Sequence, residues 1–285
     1  MKKEHIYTTY VDVWRGFLGH VSDDTINEFN NPEIISNSIK AMIEGELIHQ
    51  QKVKDLNLEI YRYVKSNPFV GIVSTWEKDE QDDGAYELFA STPIFKGIDT
   101  KLTITDVDFY DDLYSGHITA ESPICQTTSL TFRVPEFFKH MNIKPRTEQY
   151  VELAGLGMTV GKAPQIQSNK GWLYEKVLKK FLNMNPEKTQ KDLPNIEVRQ
   201  SFFRHEKCED VYLFTTDVLS VEKSNLTFNK TSVDMYKLKI SPILNVDTGE
   251  SIDMYLYVHE NTLKGYVPKL GDSIVGAMVL FGNII

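Results

Sequence analysis

Gly265-Tyr266-Val267-Pro268-Lys269-Leu270-Gly271-Asp272-Ser273-Ile274-Val275-Gly276-Ala277-Met278-Val279-Leu280-Phe281-Gly282-Asn283-Ile284-Ile285 joins a turn punctuated by Pro and Gly to a long apolar run. As a strand, it sets Ile274, Met278, Leu280 and Ile284 on one side and Val275, Ala277, Val279, Phe281 and Ile285 on the other, with both sides apolar. A strand apolar on both sides is buried on both sides, so this stretch reads as core. The Gly-Asp turn and the interrupting glycines suggest a strand that bends to close a small β-barrel.

Working outward, the 285 residues suffice for two or three small domains. Fourteen Tyr and fifteen Phe, with many β-branched residues, favour β structure. No apolar run approaches the ~18–20 residues that span a bilayer, so no membrane partner is expected. The opening Met1-Lys2-Lys3-Glu4-His5 leads into alternating Tyr, Thr and Val without an apolar secretory core, and the expected location is cytoplasmic. The two cysteines, Cys125 and Cys208, lie too far apart in sequence and are too few to read as a disulfide framework.

The net charge of −9 is uneven. Residues 1–92 hold nine basic and sixteen acidic side chains, a net of −7, whereas residues 166–285 are neutral. An acidic module repels phosphate backbones and attracts basic protein surfaces.

Four units are expected: an acidic α/β module (1–92), a β-rich barrel-like module (93–165), a helix and linker (166–195), and a second barrel-like module (196–285). In the first, residues 6–19 read as a strand. Asn31-Pro32-Glu33 has helix-start chemistry, and Ile34, Ile35, Ile39, Met42, Ile43 and Leu47 recur at helical spacing, predicting a helix over 32–50. Two strands then flank the acidic loop Glu77-Lys78-Asp79-Glu80-Gln81-Asp82-Asp83-Gly84. Pro93 opens the second block, and Trp172 to Leu182 forms an amphipathic helix. Ser129-Leu130-Thr131-Phe132 resembles Asn225-Leu226-Thr227-Phe228, which suggests an internal repeat of the barrel module.

Candidate chemistry is sparse. Asp106, Asp108, Asp111 and Asp112 crowd one stretch but lack the spacing and turn glycine of an EF-hand loop, so they read as an acidic loop after a strand. Arg204-His205-Glu206-Lys207-Cys208-Glu209-Asp210 places a thiol beside an imidazole. Without a second Cys or His pair it reads as turn chemistry rather than zinc binding or nucleophilic catalysis. The isolated His117, His140 and His259 read as structural residues. Gly155-Leu156-Gly157-Met158-Thr159-Val160-Gly161 does not match a phosphate-cradling motif, and close packing of a curved strand explains its glycines. No cofactor, metal or catalytic residue is expected.

The fold reading is therefore α+β and dominated by β, with an acidic N-terminal α/β module and two small antiparallel barrel-like modules of OB type joined by a helix. The function reading is a non-catalytic, cytoplasmic, macromolecule-binding protein. Its partner would be a protein with a basic surface, bound through Glu77, Asp79, Glu80, Asp82 and Asp83. An inhibitor or immunity-type factor of a bacterium or phage fits this description. The alternative is a single-stranded nucleic-acid binder using OB-like barrel faces with Lys176, Lys179, Lys180 and Arg204. A further alternative is an enzyme whose site is assembled from sequence-distant residues.

Overall fold

A computed structural model of the chain describes residues 13, 38–39, 41–53, 58–66, 70–79, 86–109, 116–124, 128–140, 142–163, 172–192, 200–228, 231–245 and 248–285. Among the described residues, thirteen strands fall into two sheets. β1 (Glu46–Val53), β2 (Leu58–Ser66), β3 (Val70–Asp79) and β4 (Tyr86–Phe95) form a four-stranded antiparallel meander. The other nine are β5 (Ile98–Phe109), β6 (Gly116–Glu121), β7 (Ser129–Val134), β8 (Glu148–Lys162), β9 (Ser201–Arg204), β10 (Val211–Phe228), β11 (Thr231–Leu244), β12 (Ser251–His259) and β13 (Ser273–Ile284). They run in the order β11-β12-β8-β5-β6-β7-β13-β10-β9, with further pairings of β10 to β11 and of β8 to β13.

That topology corrects the expected two antiparallel barrel-like modules of OB type. β13 pairs with β8 from Ile274↔Lys162 to Ile284↔Val151, and with β10 on its other side. The strands on either side of the helix are thus members of one nine-stranded sheet. The sheet is also mixed, because β12 runs parallel to β8, and β13 meets β7 in parallel at Phe281↔Arg133. The helix α1 (Trp172–Met184) lies between β8 and β9 in sequence and does not divide two barrels. The suggested repeat also dissolves: β10 and β11 are hairpin partners, whereas β7 pairs with β6 and β13 and β8 with β5, β12 and β13. Similar tetrapeptides serve different pairings.

β13 is buried on both faces. Ile274, Met278 and Leu280 enter the larger core with Phe132, Phe214, Leu238 and Leu256, while Val279 and Phe281 enter a second core with Ala154, Leu156 and Tyr257. Each large apolar side chain removed from water here contributes roughly 1.5–3 kcal/mol. Gly155 leaves room for the Met278 thioether, and Gly282 leaves room for the Phe132 ring. These glycines mark close approach, as their strand positions suggested.

The extent of the predicted N-terminal helix is corrected as well. Helical backbone is present at Ser38–Ile39 and Ala41–Glu44, but β1 starts at Glu46, so the helix does not continue to residue 50. Val13, the one described residue of the stretch read as a first strand, is helical and fully buried. Pro93 sits inside β4 opposite Ile72 rather than opening a new block.

The two sheets meet where β4 passes into β5. The Phe95 ring packs 5.0 Å from Tyr257 and 4.9 Å from Phe281, centroid to centroid. The Tyr257 hydroxyl donates to the Lys96 carbonyl at 2.8 Å, and Asn283 Nδ2 donates to the Phe95 carbonyl at 2.9 Å. Gly97 then passes so close to the Glu152 backbone that a Cβ would collide with it. Val13 and Ala41 join Phe95 over this second core, which places the N-terminal layer on the nine-stranded sheet.

Candidate functional site

Two regions hold chemistry that the architecture has arranged. The first lies on the N-terminal layer. Ser38 is fully buried and its hydroxyl donates to Ser91 Oγ at 2.8 Å, while Ala41 is also fully buried. Small residues thus form the inward face, which lets the helical segment approach the sheet. The bulky residues at neighbouring positions are left outside: Ile39 is 38 % exposed, Ile43 71 % and Leu47 44 %. Ile39 and Ile43 stand four apart in helical backbone and share a face. Both isoleucines thus lie on the surface side of the helical segment, close in sequence to exposed Glu44 and Glu46.

β3 ends at Asp79 and β4 starts at Tyr86, which is also exposed, with Lys78 Nζ 5.6 Å from its ring centroid. The acidic residues Glu77, Asp79, Glu80, Asp82 and Asp83 belong to this hairpin. Glu77 and Asp79 close β3, and Glu80, Asp82 and Asp83 lie outside the described residues. The side chains of Glu77 and Asp79 also lie outside what is described.

The second region is buried. His117 on β6 and Arg133 on β7 are direct cross-strand partners, each 1 % exposed. The turn between β9 and β10 inserts the carboxylate of Asp210, 0 % exposed, against both. His117 Nε2 lies 3.2 Å from Asp210 Oδ2, and Arg133 Nη2 lies 3.6 Å from the same oxygen. The Cys208 thiol donates to Asp210 Oδ1 at 3.3 Å. A buried carboxylate survives only when paired and hydrogen-bonded, and Asp210 has both kinds of partner. Burial is the main influence on His117 and holds its imidazole below the ordinary 6.5; the Asp210 hydrogen bond opposes this, and the Arg133 charge reinforces it. Close by, the Tyr212 hydroxyl accepts the Thr131 N–H at 2.6 Å and is pushed up to about 12, chiefly by burial.

Sequence reading missed this cluster because its members come from three distant segments. His117 carried no local signal, and Asp210 stood out only as the end of the 204–210 run. Within that run, His205 Nδ1 accepts the Lys207 N–H at 3.2 Å, so its ring serves the turn. Cys208 gives its proton towards a carboxylate, with His117 on the far side of that carboxylate. A thiol nucleophile needs the opposite order, with a histidine base next to the sulfur.

The alternative nucleic-acid strip is only partly described. Lys176, Lys179 and Lys180 lie on α1, and Lys179 is exposed. The side chains of Lys176 and Lys180 lie outside the described set. Arg204, at the end of β9, pairs with Glu209 at 3.4 Å, so its charge is partly neutralised within its own turn. Among the described residues, no group of three or more His, Cys, Asp or Glu is arranged for a metal ion. Asp106 and Asp108 lie on β5, whereas Asp111, Asp112 and Cys125 fall outside the described residues. No described helix is long and apolar enough to cross a membrane.

No protein-family model matches the chain, and no curated protein matches its sequence at a significant level.

Proposed function

We propose that this chain is a binding protein whose N-terminal layer recognises a partner protein with a basic surface. The observation that carries the reading is the pair of outward-facing isoleucines Ile39 and Ile43, with exposed Leu47 at the start of β1 and exposed Glu44 and Glu46 close by in sequence, in the third of the chain with net charge −7. Apolar side chains supply contact area, and the surrounding carboxylates supply long-range attraction and reject nucleic acid. Such a surface suits an inhibitor or immunity-type factor. The cytoplasm fits as its location, since two cysteines in 285 residues make no disulfide framework.

Affinity purification under native conditions tests the reading, with protein and nucleic acid both measured in the eluate. One protein partner should elute with the unaltered chain and be released by salt. It should be lost from the Ile39→Ser/Ile43→Ser variant while that variant keeps its circular dichroism. Retention of the same partner by the variant would sink the reading. So would an eluate dominated by single-stranded nucleic acid that Lys179→Ala/Lys180→Ala abolishes.

A further inference from the structure

We propose that the turn before β13 in one copy of the chain docks on the N-terminal layer of a second copy, so that the protein assembles with itself head to tail. The inference rests on the reading of that layer as a docking face, and it names the partner.

The turn is tightly bonded and yet presents apolar side chains to water. Asp272 Oδ2 accepts from the Tyr266 hydroxyl at 2.8 Å and from the Lys269 N–H at 2.9 Å, and Pro268 between them in sequence is buried. The Gly271 N–H donates to the Val218 carbonyl at 2.8 Å, and the Val218 N–H donates to the Asp272 carbonyl at 2.9 Å. These two bonds join the turn to β10 next to Leu219, where the β10–β11 ladder loses its register. The frame leaves Leu270 74 % exposed, Val267 53 % and Leu219 43 %. Apolar side chains held outward by fixed hydrogen bonds mark a contact surface rather than a slack loop.

The charges around this patch are basic. Lys264 and Lys269 of the turn are exposed, and Lys162 at the end of β8 reaches to 3.8 Å from Asp272 Oδ1 with its side chain still 67 % exposed. Asp272, the acid of the turn, is partly buried and engaged by Tyr266 and the Lys269 N–H.

The N-terminal layer is its counterpart. It turns Ile39, Ile43 and Leu47 outward with Glu46 exposed, in the third of the chain that carries −7. Apolar contact supplies area on both sides, and lysines meeting carboxylates guide the approach. Both patches are exposed in the same molecule, so neither covers the other within one chain. A contact between two different patches is head to tail, and it closes into a ring or runs on as a filament instead of stopping at a symmetric dimer.

Sedimentation velocity on the full chain tests this, at several protein concentrations and at low and high salt. The mass should grow with concentration and shrink as salt rises, since the guiding charges are screened. Leu270→Ser and Ile43→Ser should each weaken self-association roughly ten- to hundredfold, the worth of one apolar side chain buried in a contact. Val267→Ser/Leu270→Ser and Ile39→Ser/Ile43→Ser each keep one intact face. Either alone should stay monomeric, and their mixture should form a one-to-one pair that grows no further. Lys264→Glu/Lys269→Glu, confined to exposed side chains, should weaken assembly with its circular dichroism unchanged. A chain that is monomeric at every concentration overturns the proposal. If that monomer still captures a different, basic protein through Ile39 and Ile43, the partner-binding reading stands without it. Assembly that persists in either double variant alone also overturns it, because the contact is then not between these two patches. So does a monomer that sediments with phosphatidylglycerol vesicles through Leu270, which would assign the turn to a lipid surface.

Discussion

Gly276 of β13 lies so close to Thr159 of β8 that a Cβ on the glycine would run into the Thr159 carbonyl oxygen. The contact sits just before the register shift at Ala277/Met278, where the two strands bend together. Gly276→Ala should therefore force the backbones apart, at a cost of about 1–3 kcal/mol. Gly161 of β8 has nothing within reach of an added Cβ and is not in the left-handed region. Gly161→Ala should be neutral or stabilise by up to ~1 kcal/mol, because it restricts the unfolded chain. Urea unfolding of the two variants checks the contrast, and equal midpoints would contradict it.

Deleting residues 274–285 should abolish cooperative folding. β13 serves β8 and β10 as a ladder partner and contributes to both cores. Leu280→Ala, a milder change at a fully buried position, should cost about 2–5 kcal/mol. A truncated chain that still melts in one sharp transition would refute the first expectation.

The turn before β13 carries its own acid dependence. Asp272 Oδ2 accepts from the Tyr266 hydroxyl at 2.8 Å and from the Lys269 N–H at 2.9 Å. Chiefly through Tyr266, these hold the carboxyl below its ordinary 3.8. A carboxyl lowered on folding contributes stability that is present above its unfolded value and is lost as pH falls through the folded one. Between about pH 5 and about pH 3, the unaltered chain should lose more stability than Tyr266→Phe does. Parallel slopes in urea titrations would show that this hydrogen bond carries no linked proton.

Neutralising Glu77 and Asp79 at the end of β3, together with Glu80, Asp82 and Asp83 beyond it, to Asn or Gln should change stability by less than about 0.5 kcal/mol, as charge substitutions away from a packed core generally do. It should slow association with the protein partner and flatten the salt dependence of that association rate, because screening acts over ~8 Å at physiological ionic strength. Stopped-flow association at two salt concentrations measures both effects.

Protein purified without chelators should contain no stoichiometric transition metal, given the lack of a three-ligand group among the described residues. Elemental analysis decides this, and zinc that leaves together with folded structure on chelation would contradict it.

The strands were largely legible because they are local. The two-sided apolar pattern of 274–285 located a core strand, and the two strands expected around the acidic stretch at 77–84 are β3 and β4. What the sequence did not disclose is which strand neighbours which. Pairing Ile274 with Lys162 or Tyr255 with Ala154 leaves no mark in either segment, so adjacent blocks read as separate barrels. Helical periodicity at Ile39 and Ile43 pointed to the local conformation but not to the face that packs, because serine and alanine take the inward positions. The Asp210 cluster was hidden for a similar reason. One buried carboxylate near a run of polar turn residues looks no different from a solvated one until β6 and β7 are brought beside it.

The pairing of β8 with β13 also has a consequence on the ribosome. β8 emerges a little past the middle of the chain and its partner emerges after the other described strands, so the inner ladder waits exposed until the last of them is made. During that interval β8 can join β5, its sequence-near neighbour, but its other side offers unpaired amides and carbonyls to any extended chain nearby. Nascent chains of this protein should therefore be chaperone clients until β13 has cleared the exit tunnel, and crowded translation should aggregate them through β8.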